Sequence, residues 1–110
     1  MSVRAQIRWL KPDEGGRDAP PRGDRYSTVA RFEAQTEEDW IRESWSLVLS
    51  LEGTPDENWT QTALVRFLAA EADAPMHRLE PHSRFALFEG RRKVAEGTIL
   101  EGGSGEQGTA

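Results

Sequence analysis

The stretch Arg84-Phe85-Ala86-Leu87-Phe88-Glu89-Gly90-Arg91-Arg92-Lys93-Val94-Ala95-Glu96-Gly97-Thr98-Ile99-Leu100 decides the fold class. Residues 84–89 and 93–100 are short, largely apolar runs, and Gly90-Arg91-Arg92 stands between them. Glycine supplies the backbone freedom of a tight turn, so the stretch reads as a β-hairpin. Outward from it the same pattern recurs. Val3, Ala5, Ile7 and Trp9 alternate with Arg4, Gln6 and Arg8, as in a strand with one apolar face. Tyr26, Thr28, Ala30 and Phe32 alternate with Ser27, Arg31 and Glu33, and Trp45, Leu47, Leu49 and Leu51 with Ser44, Ser46 and Ser50. Residues 61–70 are apolar with β-branched and aromatic members and make a fourth run. Between these runs lie a proline- and glycine-rich loop over residues 11–24 and the turn residues Gly53-Thr54-Pro55-Asp56.

Six short strands without a long helical stripe predict an all-β fold, a closed or nearly closed six-stranded antiparallel β-barrel. A single helical turn over residues 36–42 or 68–73 would alter details and leave that class alone. Residues 1–100 are expected to form one barrel domain. Residues 101–110, glycine-rich and apolar only at Ala110, are expected to be a disordered tail. A chain of 110 residues suits one domain, which buries roughly 60–70% of its unfolded surface. It contains no cysteine, which excludes disulfides and thiolate metal sites and suits a reducing cytoplasm. No apolar run approaches the ~18–20 residues of a membrane helix, so no membrane association is expected.

Composition and motifs argue against chemistry. His77 and His82 are spaced so that neither a helix nor a strand places both on one face, and no H-E-x-x-H pattern exists. Ser83 follows His82 directly, where extended neighbours face opposite sides. There is no G-x-x-x-x-G-K-[ST] segment to cradle a triphosphate, and GTP binding is not expected. No metal, cofactor or catalytic residue is therefore assigned. The net charge of −5 argues against a general polyanion binder, although a local basic patch remains compatible with it. Of the basic residues only Lys11 and Lys93 are lysine, and arginine suits bidentate contacts with carboxylate and phosphate. Among the four tryptophans, Trp9 and Trp45 sit on apolar faces and read as core. Trp40 and Trp59 lie in polar surroundings, either as partner anchors or as residues closing a barrel end.

Two segments together resemble the C-terminal barrel domain of elongation factor Tu. One is Glu14-Gly15-Gly16-Arg17, just after the first strand, with Gly23-Asp24-Arg25 leading into an aromatic strand. The other is the hairpin, where Phe85, Ala86, Glu89, Gly90, Arg92, Val94 and Gly97 match the family outright. The resemblance covers most of residues 3–100 and is poor over residues 36–58. It implies a six-stranded antiparallel barrel, in agreement with the strand count. It also implies a surface that helps hold the T-stem of aminoacyl-tRNA, at positions matching Arg17, Glu89 and Gly90. The chain departs from the family there: Asp18 stands for a histidine, Arg91 for a glycine and Phe88 for an arginine.

Two functions follow as expectations. One is a non-enzymatic, stand-alone module for protein–protein interaction, supported by the acidic average, the added tryptophans and Phe88. The other is an RNA- or tRNA-binding accessory protein, supported by arginines near the two turns. A homo-oligomer is compatible with either. The candidate contacts are Arg17, Arg25, Trp40, Phe88, Glu89, Gly90, Arg91 and Arg92.

Overall fold

The structure, a computed structural model, describes residues 2–33, 35–42, 44–69 and 74–100. Its strands are β1 (Val3–Trp9), β2 (Arg25–Phe32), β3 (Trp45–Glu52), β4 (Thr60–Phe67), β5 (Arg84–Glu89) and β6 (Arg92–Ile99). Short 3-10 turns cover Pro12–Glu14 and Met76–Leu79, and one helix, α1, covers Glu37–Arg42. The strands close in the order β1-β4-β3-β2-β5-β6, and every neighbouring pair is antiparallel. The expected all-β, six-stranded closed antiparallel barrel is the observed fold.

Alternation sets the interior. Ala5, Ile7, Trp9, Leu47, Leu49, Ala63, Val65, Leu87 and Ala95 are buried without measurable exposure, and most of their strand neighbours face out, Val48 and Val94 being buried as well. Small and large residues mix because the interior of a six-stranded barrel is narrow. Gly97 is the clearest case: a Cβ there would lie 2.2 Å from the Phe85 ring, its register partner, so the ring occupies the space a side chain would need. Each end is plugged by aromatics. Phe32, Phe67, Phe85 and Trp45 meet at one end, with centroid separations of 5.6–6.2 Å. Trp9 and Tyr26 pack edge to face at 5.1 Å at the other, where Trp59 also lies against the core. The buried Trp9 indole N–H donates to Gln61 Oε1 at 2.8 Å, so Gln61 can enter the core without leaving a polar atom unmatched.

Several boundaries differ from the sequence reading. Arg92 belongs to β6 and not to the turn, because the hairpin closes through Gly90-Arg91 alone, with Glu89 opposite Arg92. Gly90 has φ 65°, the left-handed region that a two-residue turn takes at its first position. In β6 the register slips so that Phe88 faces Lys93 while Leu87 faces Ala95. Val94 is thus the extra residue of a β-bulge, and Val94 and Ala95 are both buried in succession. The bulge turns the Val94 carbonyl towards Leu10, whose N–H donates to it at 2.9 Å. The fourth run is shorter than residues 61–70, ending at Phe67 with Leu68 and Ala69 outside the strand, and β6 ends at Ile99 rather than residue 100. The alternative helical turn over residues 36–42 is present as α1; Thr36 Oγ1 accepts from the Asp39 N–H at 3.0 Å, which starts it. The turn considered over residues 68–73 falls largely on residues outside the described ones. So does the tail assigned to residues 101–110.

Candidate functional site

β1, β3 and β5 finish at one end of the barrel, and β2, β4 and β6 begin there. That end gathers the candidate contacts Arg17, Arg25, Glu89, Gly90, Arg91 and Arg92. Its geometry starts with Glu14, whose carboxylate accepts from the Lys11 backbone N–H at 3.0 Å and from Arg8 at 3.0 Å. Gly15 follows in the left-handed region at φ 81°. Gly16 then passes so close to Leu10 that a Cβ would sit 2.2 Å from its carbonyl oxygen. Gly16 and Arg17 donate their backbone N–H groups back to Lys11 and Leu10, at 2.9 and 3.0 Å. Each glycine of the Glu14-Gly15-Gly16-Arg17 segment thereby has a steric reason, and the result is to fold Arg17 back onto the barrel.

Arg17 lands on the second motif. Its guanidinium lies 5.7 Å from the Tyr26 ring centroid, forms an ion pair with Glu89 and donates to the Ala19 carbonyl at 2.8 Å. Glu89 also accepts from the Tyr26 hydroxyl at 2.6 Å, and the Thr28 hydroxyl donates to the Phe88 carbonyl. Burial, followed by the hydrogen bond to Glu89, raises the Tyr26 phenol well above the ordinary tyrosine value. The two segments singled out in the sequence are therefore joined by a clasp of Arg17, Tyr26 and Glu89. Gly90 and Arg91 project beyond it at the hairpin tip, exposed, with Arg92 and Arg25 exposed at the same end. Among the described residues the side chains of Arg25, Arg91 and Arg92 have no ion-pair partner.

Trp40 and Phe88 are brought together elsewhere. α1 folds back along the outer wall and places Trp40 on Phe88, with centroids 4.8 Å apart. The Trp40 indole N–H donates to the Ala30 carbonyl at 3.0 Å, and the Arg31 guanidinium lies 5.8 Å from its ring centroid. Both rings are half-buried. The chain also builds a groove that the sequence reading missed. It has a volume of about 570 Å³ and runs along the outer faces of β1, β6, β5 and β2, with Arg31, Arg84, Ala86 and Phe88 among its walls. Its only signal in the sequence is the set of outward-facing positions that alternation assigns to solvent.

Carboxylates on the wall are held ionised by their partners. Glu96 accepts from Lys93 at 2.8 Å and Arg8 at 2.9 Å, which hold it below the usual carboxylate range. Glu14 is lowered by the Lys11 N–H and then Arg8, and Glu52 by Arg4 at 2.9 Å and then Thr62. No group of three or more metal-ligating side chains occurs, and no helix is long and apolar enough to cross a membrane, among the described residues. No protein-family model matches the chain, and no curated protein matches it.

Proposed function

We propose that this barrel is a non-enzymatic binding module that works through protein–protein interaction, a stand-alone relative of the C-terminal barrel of elongation factor Tu. The observation that carries the reading is a division between the two ends. Arg17 and Glu89, which the resemblance would give to RNA, are spent on each other and on Tyr26. Among the described residues, the exposed large apolar side chains are Ile41 at 75%, Leu68 at 55% and Met76 at 38%, and all lie on the β2–β3 and β4–β5 connections, which leave the opposite end of the barrel. Large apolar side chains left exposed on these connections offer surface for another protein to cover. The wall carboxylates, paired with arginine and lysine and depressed, suit cohesion of the barrel and not proton transfer at neutral pH. Lack of cysteine suits such a module to the cytoplasm. The test is capture of partners from the protein's own cell extract, with and without ribonuclease, using wild type and Ile41→Asp/Leu68→Asp. A protein retained by wild type after ribonuclease and lost with the variant supports the reading. Capture that ribonuclease abolishes sinks it.

RNA binding is the second reading, and Arg25, Arg91 and Arg92, exposed and without ion-pair partners, favour it. In that case total tRNA binds with an affinity that falls steeply with salt, and Arg91→Ala/Arg92→Ala flattens the slope. The expected outcome is no binding at low salt, because acidic residues such as Asp18 and Asp24 flank the same loop.

A further inference from the structure

The geometry points to a binding site for a small organic anion, a flat apolar body bearing a carboxylate or phosphate, in the groove on the barrel's outer wall. The inference is independent of which macromolecule the module binds. The register explains why a groove exists. Arg84, Ala86 and Phe88 are the outward positions of β5, so a single methyl group stands between two long side chains. Arg31 of β2 lies directly opposite Ala86 on one side and Glu96 of β6 on the other. Thr98 lies opposite Arg84, and Gln6 of β1 opposite Thr98. The space over Ala86 is thus walled by an aromatic ring, two guanidiniums, two neutral polar groups and the Glu96 carboxylate. At about 570 Å³ it has the size of small-molecule sites.

Charge selects the ligand. Glu96 accepts from both Lys93 and Arg8, and Arg8 also reaches Glu14, so these four groups satisfy one another. Arg84 forms no side-chain hydrogen bond or ion pair among the described residues, and Arg31 is engaged only by the face of Trp40. Glu33 at the rim opposes them with one charge, which leaves the groove cationic. Guanidiniums without a carboxylate partner bind oxyanions through paired N–H donors, and an apolar floor beside them favours a flat body. Because every strand of the closed barrel already has two neighbours, the wall offers no free strand edge, and an added peptide strand is not the occupant.

The test is titration of the full-length, nitrogen-15-labelled protein with phenyl phosphate, benzoate and inorganic phosphate, followed by amide chemical shifts. Phenyl phosphate or benzoate is expected to saturate shifts at Arg31, Ala86 and Thr98 with a dissociation constant on the order of 1 mM, given so small a probe. Inorganic phosphate, lacking the body, is expected to bind about tenfold more weakly. Arg84→Gln, at an exposed position with no side-chain hydrogen bond or ion pair to lose among the described residues, should weaken the organic anions about tenfold, and Glu33→Gln should tighten them. Shifts confined to other surfaces, equal affinity for inorganic phosphate, no saturation by either organic anion, or an unchanged affinity in Arg84→Gln would each overturn the proposal.

Discussion

Replacing Glu89 by alanine removes the acceptor that Arg17 and Tyr26 share. The size of the effect follows from burial. The Arg17 and Glu89 side chains are 26% and 36% exposed, between a surface pair, worth about 0–1 kcal/mol, and a buried pair, whose breakage costs about 3–5 kcal/mol. The half-buried Tyr26 hydroxyl loses its acceptor as well, at about 1–3 kcal/mol when no water replaces it. Together these give a loss of roughly 2–3 kcal/mol for Glu89→Ala and about 1 kcal/mol for Glu89→Gln, which keeps an acceptor oxygen. In a domain of this length each kcal/mol shifts Tm by about 4–8 °C, so the alanine variant should melt roughly 10–20 °C lower. Urea unfolding of wild type, Arg17→Ala, Glu89→Ala and the double variant gives the coupling energy, expected near 1 kcal/mol. A coupling indistinguishable from zero, or a Glu89→Ala cost below about 0.5 kcal/mol, would refute the clasp as a structural device.

Tyr26 is the only tyrosine, so phenolate absorbance reports on it alone. Its raised folded-state pKa means ionisation should begin well above the usual value of about 10, and Glu89→Gln should recover only part of the shift because burial is the larger cause. The folded state retains that proton longer than the unfolded chain, so the corresponding stability is present below about pH 10 and is lost as pH rises through the folded pKa. Gly97→Ala drives a methyl group into the Phe85 ring and should cost about 1–3 kcal/mol in thermal unfolding; Phe85→Leu in the same chain should restore part of it, and a neutral single variant would contradict the packing. Glu14, Glu52 and Glu96 have depressed values, so their contribution is present above the unfolded carboxylate range near 4.3 and lost as pH falls through the folded values. The urea midpoint should therefore decline below about pH 4, and somewhat less steeply in Arg8→Gln, which removes the second cause acting on Glu14 and Glu96 and leaves the Lys11 N–H and Lys93 in place; identical slopes would show that Arg8 does not contribute to these values.

The barrel was legible because its signal is local. Val3 to Trp9 declares an inward face residue by residue, and the core cluster contains each of those inward side chains. The reading failed where a neighbouring strand supplies the rule. Val94 breaks the alternation because a bulge satisfies Leu10, just past the end of β1, and Val48, on the outward side of β3, is buried although alternation assigns it to solvent. Trp40 finds Phe88 only after α1 folds back across two strands. The site shows the same limit more sharply. Arg17 and Glu89 were picked out as candidate contacts in two separate segments. Nothing local says that they bind each other, because their meeting requires β2 to lie beside β5, with Tyr26 donating to the same Glu89 carboxylate. Once they meet, the motif residues have internal causes. Gly16 makes room for the Leu10 carbonyl, Gly97 for the Phe85 ring, Gly90 supplies the turn, and Arg17 and Glu89 hold one end closed. Residues required to close a barrel would be shared by any chain that closes it the same way, whatever it binds. The motifs therefore bear on architecture, and binding is to be sought among residues with no structural duty: Arg31 and Arg84 on the wall, Arg91 at the hairpin tip, and Ile41 on α1.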